Sequence, residues 1–358
     1  MGVASLTSPG QEMNPDTART HARVLRGPYQ MTLDITNKCN LRCLHCFNRS
    51  GENPIVEDEL SDDEVVAFLR DVAGIKPFNL CFCGGEPLLR RELLLQGIKI
   101  LADGGVKAST VTNGQLMTAE IARRMADAGI YQVQVSVDGA TPESHDRLRN
   151  RRGCFAKALK AIEHLAAAKI KVGVAFTPTR WSIGEVEPLA RRLRDLGVSA
   201  MRVQALMVMG RGQVYSEDIN PTAGQYRRLV ADLRRLRNTD ARGDSFHLEW
   251  GDPVDHLIRF SDMLDRCCPF IAVRANGAII PSIYLPLTVG SVRRHAFSEY
   301  WDAGLARLWR LPLLKSMAAR VRSVPEMGGG DDGTPRPYWE RDLEVDFIDD
   351  LLYREVAV

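Results

Sequence analysis

Residues 31–74 read MTLDITNKCNLRCLHCFNRSGENPIVEDELSDDEVVAFLRDVAG, and three patterns follow one another in them. MTLDIT (31–36) alternates like a strand. A polar, irregular loop with three cysteines comes next. From Leu60 to Gly74, Ser61 stands ahead of Asp62, Asp63 and Glu64, an N-cap with an acidic first turn. Val65, Val66, Phe68, Leu69 and Val72 then take helical spacing. The stretch is one strand-loop-helix unit.

The unit recurs. Apolar or β-rich segments at 78–83, 106–112, 131–137, 171–176 and 200–205 alternate with helical patterns at about 88–103, 118–128, 143–168 and 183–196. Six strands alternating with helices predict an α/β fold with a parallel sheet and right-handed crossovers. Pattern alone leaves an open doubly wound sheet and a barrel equally available. Both put their sites just after strand C-termini, where the chemically distinctive residues of this chain cluster.

The flanks read differently. Residues 1–28 are polar, rich in Pro, Thr and Arg, and are expected to form a flexible lead. After about residue 206 the alternation stops, and 207–266 is expected to be a helical, Arg-rich connector. From 267 to 358 the chain gives CCPF, a strand-turn-strand AVRANGAIIPSIY with Asn276-Gly277 as the hairpin signal, and a helical SEYWDAGLARLWRLPLLKSM. The glycine-rich GGGDDGTPRP should be mobile. Trp339, Leu343, Phe347 and Leu351 form an i, i+4 stripe that predicts an acidic helix docked on the body.

Composition narrows the class. With 45% hydrophobic and 26% charged residues in 358, the chain is in the ordinary globular range. Lys plus Arg is 47 against 45 Asp plus Glu, and a net charge of +2 gives no electrostatic case for nucleic acid as a partner. No apolar run reaches the ~18–20 residues of a membrane span, and the first residues lack a basic n-region and an apolar h-region. The expectation is a cytoplasmic protein with no membrane partner. Its eight Cys should then be reduced thiols, suited to metal binding or catalysis.

Cys39, Cys43 and Cys46 lie within eight residues. Thiolates this close repel one another, so a metal centre or a disulfide must account for them, and a cytoplasmic setting disfavours the disulfide. A four-Cys zinc site would need a second knuckle, and no paired CxxC occurs elsewhere. Three thiolates suit three irons of a [4Fe-4S] cluster, with the fourth iron open to a small-molecule chelate.

CxxxCxxC at 39–46, GGEP at 84–87, TNG at 112–114 and SVDG at 136–139 follow successive strands in order. Over residues 31–205 the chain resembles the radical S-adenosylmethionine (SAM) enzymes. The resemblance implies a partial (β/α)6 TIM-like barrel, one [4Fe-4S] cluster on Cys39, Cys43 and Cys46, and SAM chelated to the open iron. An external one-electron reductant of flavodoxin or ferredoxin type is implied as partner.

Each motif also has a physical reading. Gly84 and Gly85 let backbone approach a ligand, Glu86 offers a carboxylate to the SAM ammonium group, and Pro87 fixes the turn. Thr112, Asn113, Ser136 and Asp138 supply groups for ribose hydroxyls and the methionine carboxylate. Ser136 is favoured among them, because Asn113-Gly114 and Asp138-Gly139 are also ordinary turn dipeptides. His45 is expected near adenine or behind the cluster.

The run after SVDG and the segment from Cys267 onward are similar to the subgroup with SPASM or twitch extensions, giving an α+β C-terminal cap. Those extensions hold further clusters through several Cys, whereas here no Cys follows Cys268 and Ser282 follows Pro281 where a ligand is expected. The cap therefore reads as degenerate, shaping a substrate pocket. Cys81 and Cys83 share one strand face and read as core thiols. Cys154, Cys267 and Cys268 are the candidate hydrogen donors.

What the resemblance implies is an enzyme that cleaves SAM to a 5′-deoxyadenosyl radical and abstracts hydrogen from a substrate. Only about thirty residues precede the first strand, too few for a peptide-recognition domain, which favours a small natural-product precursor such as a sugar, nucleoside or amino-acid derivative. With no second cluster expected to accept an electron, the reaction should be redox-neutral. A peptide maturase is the alternative within the family, and a non-catalytic iron-sulfur or zinc protein is the alternative outside it.

Overall fold

A computed structural model describes residues 27–52, 57–239, 246–262, 268–327 and 342–356. The lead at 1–26, Cys267, Trp339 and the GGGDDGTPRP segment lie outside the described residues.

Six strands fall where the alternation predicts them: β1 Gln30–Thr36, β2 Asn79–Gly84, β3 Lys107–Thr112, β4 Gln132–Ser136, β5 Lys171–Phe176 and β6 Ala200–Gln204. Each pairs in parallel with the next. Side chains on a strand alternate between faces. Met31, Leu33, Leu80, Phe82, Val133, Val135, Val172, Val174, Met201 and Val203 are therefore buried against the crossover helices. The other face carries Thr32, Asp34, Cys81, Cys83, Gln134, Ser136, Arg202 and Gln204, and these line a cavity. These strands thus bring polar side chains into a cavity that also has apolar walls such as Phe176, Phe270 and Ile283, and the main apolar core lies between sheet and helices.

The crossover helices start where their caps dictate. Ser61 and Glu64 form a reciprocal capping box at the head of helix Asp62–Ile75, with Glu64 N donating to Ser61 Oγ at 3.2 Å and Ser61 N donating to Glu64 Oε2 at 2.7 Å. The helix expected over 143–168 is two helices, Pro142–Arg149 and Cys154–Ala167. Asn150 at φ 54° and Gly153 at φ 80° take the left-handed conformation that stops the first and turns the chain into the second.

The C-terminal part departs from a simple cap. The region expected to be helical over 207–266 contains helices Ala223–Thr239 and Pro253–Asp262 but also β7, His247–Gly251, parallel to β6. Alternation of Leu248 and Trp250 with polar residues was its signal. The Asn276-Gly277 hairpin forms as read, between β8 Phe270–Val273 and β9 Ala278–Ile280, with Gly277 at φ 88°. β8 then pairs in parallel with β1, so the hairpin extends the barrel sheet. β10 Leu287–Thr288 and β11 Gly290–Ser291 follow, and β11 closes an order β11-β9-β8-β1-β2-β3-β4-β5-β6-β7. The two ends do not meet, leaving a ten-stranded open barrel.

Helix Phe297–Asp302 ties this extension to the first unit. Phe297 meets Phe68 edge-on at 6.1 Å, and Ser298 N donates to Asp71 Oδ2 at 2.8 Å. The acidic tail is not the predicted helix. Leu343 begins β12, Leu343–Glu344, which pairs with β10, and among the described residues of the tail only Tyr353–Val356 is helical. Phe347 is buried while Leu343 and Leu351 are exposed, so the stripe is broken. Asp346 is the reason: its Oδ1 accepts from Ile348 N at 2.9 Å and Asp349 N at 3.1 Å, a side-chain turn that competes with a helix.

Candidate active site

The Cys loop leaves β1 at its C-terminal end and is held from three sides. Glu59 accepts from Asn37 N at 2.6 Å and from Thr36 Oγ1 at 3.0 Å. Lys38 O accepts from Glu86 N at 2.9 Å. Arg211, nearly buried, donates from Nε to Cys43 O at 3.0 Å and pairs with Glu52 at 2.6 Å. Arg211 N also donates to Cys46 O at 2.9 Å. A loop so restrained presents its thiols in one arrangement.

Cys39, Cys43 and Cys46 gather with Leu41 and Cys154 into a small cluster of their own. Among the described residues, no trio of Cys brings its sulfurs within 4.8 Å of one another. A single tetrahedral zinc, with Zn–S of about 2.3 Å, would hold three thiolates closer than that. A polynuclear cluster spreads them wider, so the donor set fits [4Fe-4S] better than one ion. Burial pushes the Cys39 thiol up to about 12 and raises Cys43 against the pull of Arg149, so a metal centre must displace protons on binding. Asn113 Nδ2 lies 4.0 Å from Cys39 Sγ, Arg149 Nη1 3.7 Å from Cys43 Sγ and Cys46 Sγ 3.8 Å from Ser50 Oγ, contacts of the kind that tune cluster potential.

A cavity of about 340 Å³ opens beside the loop. Of the residues singled out in the sequence, Cys43, His45, Cys46, Gly84, Gly85, Thr112, Asn113 and Ser136 line it. His45 Nδ1 is buried and has no hydrogen-bond partner, and burial pushes the ring down to about 4, so the imidazole is neutral. The rest of the residue lines the cavity, which leaves its ring available to a cofactor such as SAM.

Four predicted contacts are engaged with the protein itself. Glu86 is fully buried and outside the cavity lining, and its carboxylate is spent on the protein. It accepts from Thr112 Oγ1 at 2.7 Å, Asn113 N at 2.8 Å and Leu88 N at 3.2 Å, tying the ends of β2 and β3 together. Pro87, also buried, opens the turn Pro87–Arg90 behind it. Thr112 donates its hydroxyl to Glu86, leaving the cavity only its remaining surface. Asp138 is buried in an ion pair with Arg149 at 2.6 Å and accepts from Thr177 N at 3.0 Å.

The candidate hydrogen donors shift as well. Cys154 is buried behind the Cys loop, and Cys268 is a core residue whose Sγ lies 3.7 Å from Phe270 O; neither lines the cavity. Cys267 lies outside the described residues. Cys81 and Cys83, read from sequence as core thiols, do line the cavity, with their sulfurs 3.6 Å apart. Their shared strand face was legible; that this face looks into the barrel was not. Sequence reading also passed over Arg149, Arg211 and Arg202, which no short motif marks.

The profile of the Radical SAM superfamily matches residues 33–179. Fe-coproporphyrin III synthase of Methanosarcina barkeri is 30% identical over 319 residues, 80% of this chain and 78% of that protein. Mycofactocin maturase MftC of Mycobacterium ulcerans is 34% identical over 228 residues, covering 62% of this chain and 59% of that one. In fold, the chain is similar to Streptococcus suis SuiB bound to S-adenosylmethionine, with a TM-score of 0.63 at 16% identity over 90% of this chain and 78% of that chain. Among the described residues no helix is long and apolar enough to cross a membrane.

Proposed function

The chain belongs to the radical SAM superfamily, enzymes that use a [4Fe-4S] cluster and S-adenosylmethionine, and from that premise we propose that it acts on a small molecule held in the 340 Å³ barrel cavity. When bound, the two cofactors supply a 5′-deoxyadenosyl radical that takes a hydrogen atom from the substrate. Cys39, Cys43 and Cys46 hold the cluster; Gly84, Gly85, Asn113, Ser136 and His45 receive SAM.

The observation that carries the reading is that one cavity is bounded by Cys43 and Cys46 and by Tyr284 of the C-terminal extension. Cofactor loop and cap therefore face a shared volume, so a radical formed at the loop arises beside a substrate held under the cap. Cys81 and Cys83 face the same volume and support a redox-neutral outcome. A thiol there breaks its S–H bond to return a hydrogen atom to the substrate carbon. The thiyl left behind recovers one electron from a flavodoxin- or ferredoxin-type reductant in the cytoplasm and one proton from solvent.

A peptide is the second reading, favoured by the similarity to the mycofactocin maturase. The test of the main reading is anaerobic reconstitution followed by SAM and dithionite. Wild type should form 5′-deoxyadenosine, and alanine at any of Cys39, Cys43 or Cys46 should abolish it together with most of the bound iron. Cleavage retained in one such variant would move the cluster elsewhere.

A further inference from the structure

Among the described residues, three arginines line the cavity: Arg149, Arg202 and Arg274. Arg149 is paired with Asp138, and Arg274 with Asp342. Arg202, 8% exposed, has no carboxylate within ion-pair distance among the described residues. Its two bonds go to neutral groups, Nε to Gln204 Oε1 at 3.2 Å and Nη2 to His256 Nε2 at 3.2 Å. Arginine has no acceptor, so His256 Nε2 must carry no proton, and His256 Nδ1–H donates to Tyr284 Oη at 3.0 Å. Burial and the neighbouring arginines keep that imidazole uncharged, so it cannot add a second positive charge.

A buried cation without an anion is expensive, and an unpaired one is retained where a ligand completes it. The neutral partners act as a bracket. Gln204 and His256 fix two edges of the guanidinium, and Nη1 makes no hydrogen bond within the described chain. Arg202 stands opposite Ala175 in the β5–β6 register, and Ala175 opposite Ser136 in β4–β5, so the guanidinium springs from the same level as the Ser136 strand end. Glu249, opposite Arg202 on β7, attracts the guanidinium from beyond ion-pair distance; it lies outside this cavity and lines a second one at the other end of the barrel, which shares Gln30, Gln134 and Arg202 with the first.

We propose that Arg202, held by Gln204 and His256, binds an oxyanion of the substrate, a carboxylate or a phosphate, and so selects acidic substrates. The inference rests on the reading of the cavity as the substrate site but not on radical chemistry. A guanidinium fork matches a two-oxygen anion, and Tyr284 lets the C-terminal extension set the angle through His256.

The experiment uses the reconstituted full chain under anaerobic conditions, with Arg202→Met and Arg202→Lys as variants. Thermal midpoints are read in sodium chloride, acetate and phosphate at equal ionic strength, and SAM affinity is measured alongside. Arg202→Met removes a buried charge but also leaves Gln204 Oε1 and His256 Nε2 without their donor, so its midpoint in chloride serves as the reference for the anion series. Acetate or phosphate should stabilise wild type beyond the general salt effect seen in Arg202→Met, with the lysine variant retaining part of the gain. SAM affinity should be unchanged in all three. Once a substrate is known, Arg202→Met should raise its KM about 10- to 100-fold. Equal anion effects in wild type and variant, or a loss of SAM affinity, would overturn the proposal, while loss of SAM cleavage alone would count against the radical reading instead.

Discussion

At the scale of single residues, Glu86 and Asp34 show how position decides what a carboxylate does. Glu86 accepts three hydrogen bonds from buried donors at the ends of two strands. Glu86→Ala would leave those donors unpaired, and the SAM-free protein should lose on the order of 3 kcal/mol in urea unfolding. A side chain serving only as a SAM contact would leave that stability unchanged. Asp34 lines the cavity, and burial, opposed by Arg274 and assisted by Glu59, pushes its carboxyl from 3.8 to about 7. Between about pH 4 and 7 the folded chain then holds a proton the unfolded chain has released, so stability falls as pH rises across that window. Asp34→Asn should therefore stabilise the protein at pH 8 and have little effect at pH 4. Urea midpoints at the two pH values check this, and an equal effect at both would contradict it.

At the scale of elements, the join between β1 and β2 positions the cofactor loop. A Cβ on Gly85 would meet Lys38 O at 2.0 Å and Lys38 C at 2.6 Å, backbone atoms that cannot swing aside. Gly84 is as tight, 2.1 Å from Thr36 O, with φ at 122°. Gly85→Ala must push residues 37–38 away from β2, and with them the chain leading to Cys39. Reconstituted Gly85→Ala should bind less than half the iron of wild type while its circular dichroism stays native. Full iron with normal SAM cleavage would mean the loop tolerates the shift. GGEP thus also packs backbone, its glycines admitting the Cys loop and its glutamate tying the neighbouring strand.

At the scale of the whole molecule, the C-terminal extension is continuous with the barrel sheet through β8 and β1, and its Tyr284 reaches the cavity. Among the described residues the thiols outside the Cys loop are dispersed: Cys81 and Cys83 face the cavity, Cys154 lies behind the loop, and Cys268 is in the core. Reconstituted protein should accordingly bind about four irons per chain, the content of one cluster with an open site. Colorimetric iron and sulfide assays measure it, and a value near eight would refute the single-cluster reading.

The sequence by itself determined the six parallel strands, the capped helices between them, the Asn276-Gly277 hairpin and the loop carrying Cys39, Cys43 and Cys46. These rest on local period, caps and turn chemistry, which act over a few residues. Tertiary structure alone decided the rest. Whether the face bearing Cys81, Cys83 and Arg202 looks into a barrel or onto helices depends on how strands far apart in sequence curve together. That β8 would join β1 depends on pairing across more than two hundred residues. Glu86 became a tie and Arg202 a buried charge with no ion pair among the described residues because the fold decides which distant partners reach them.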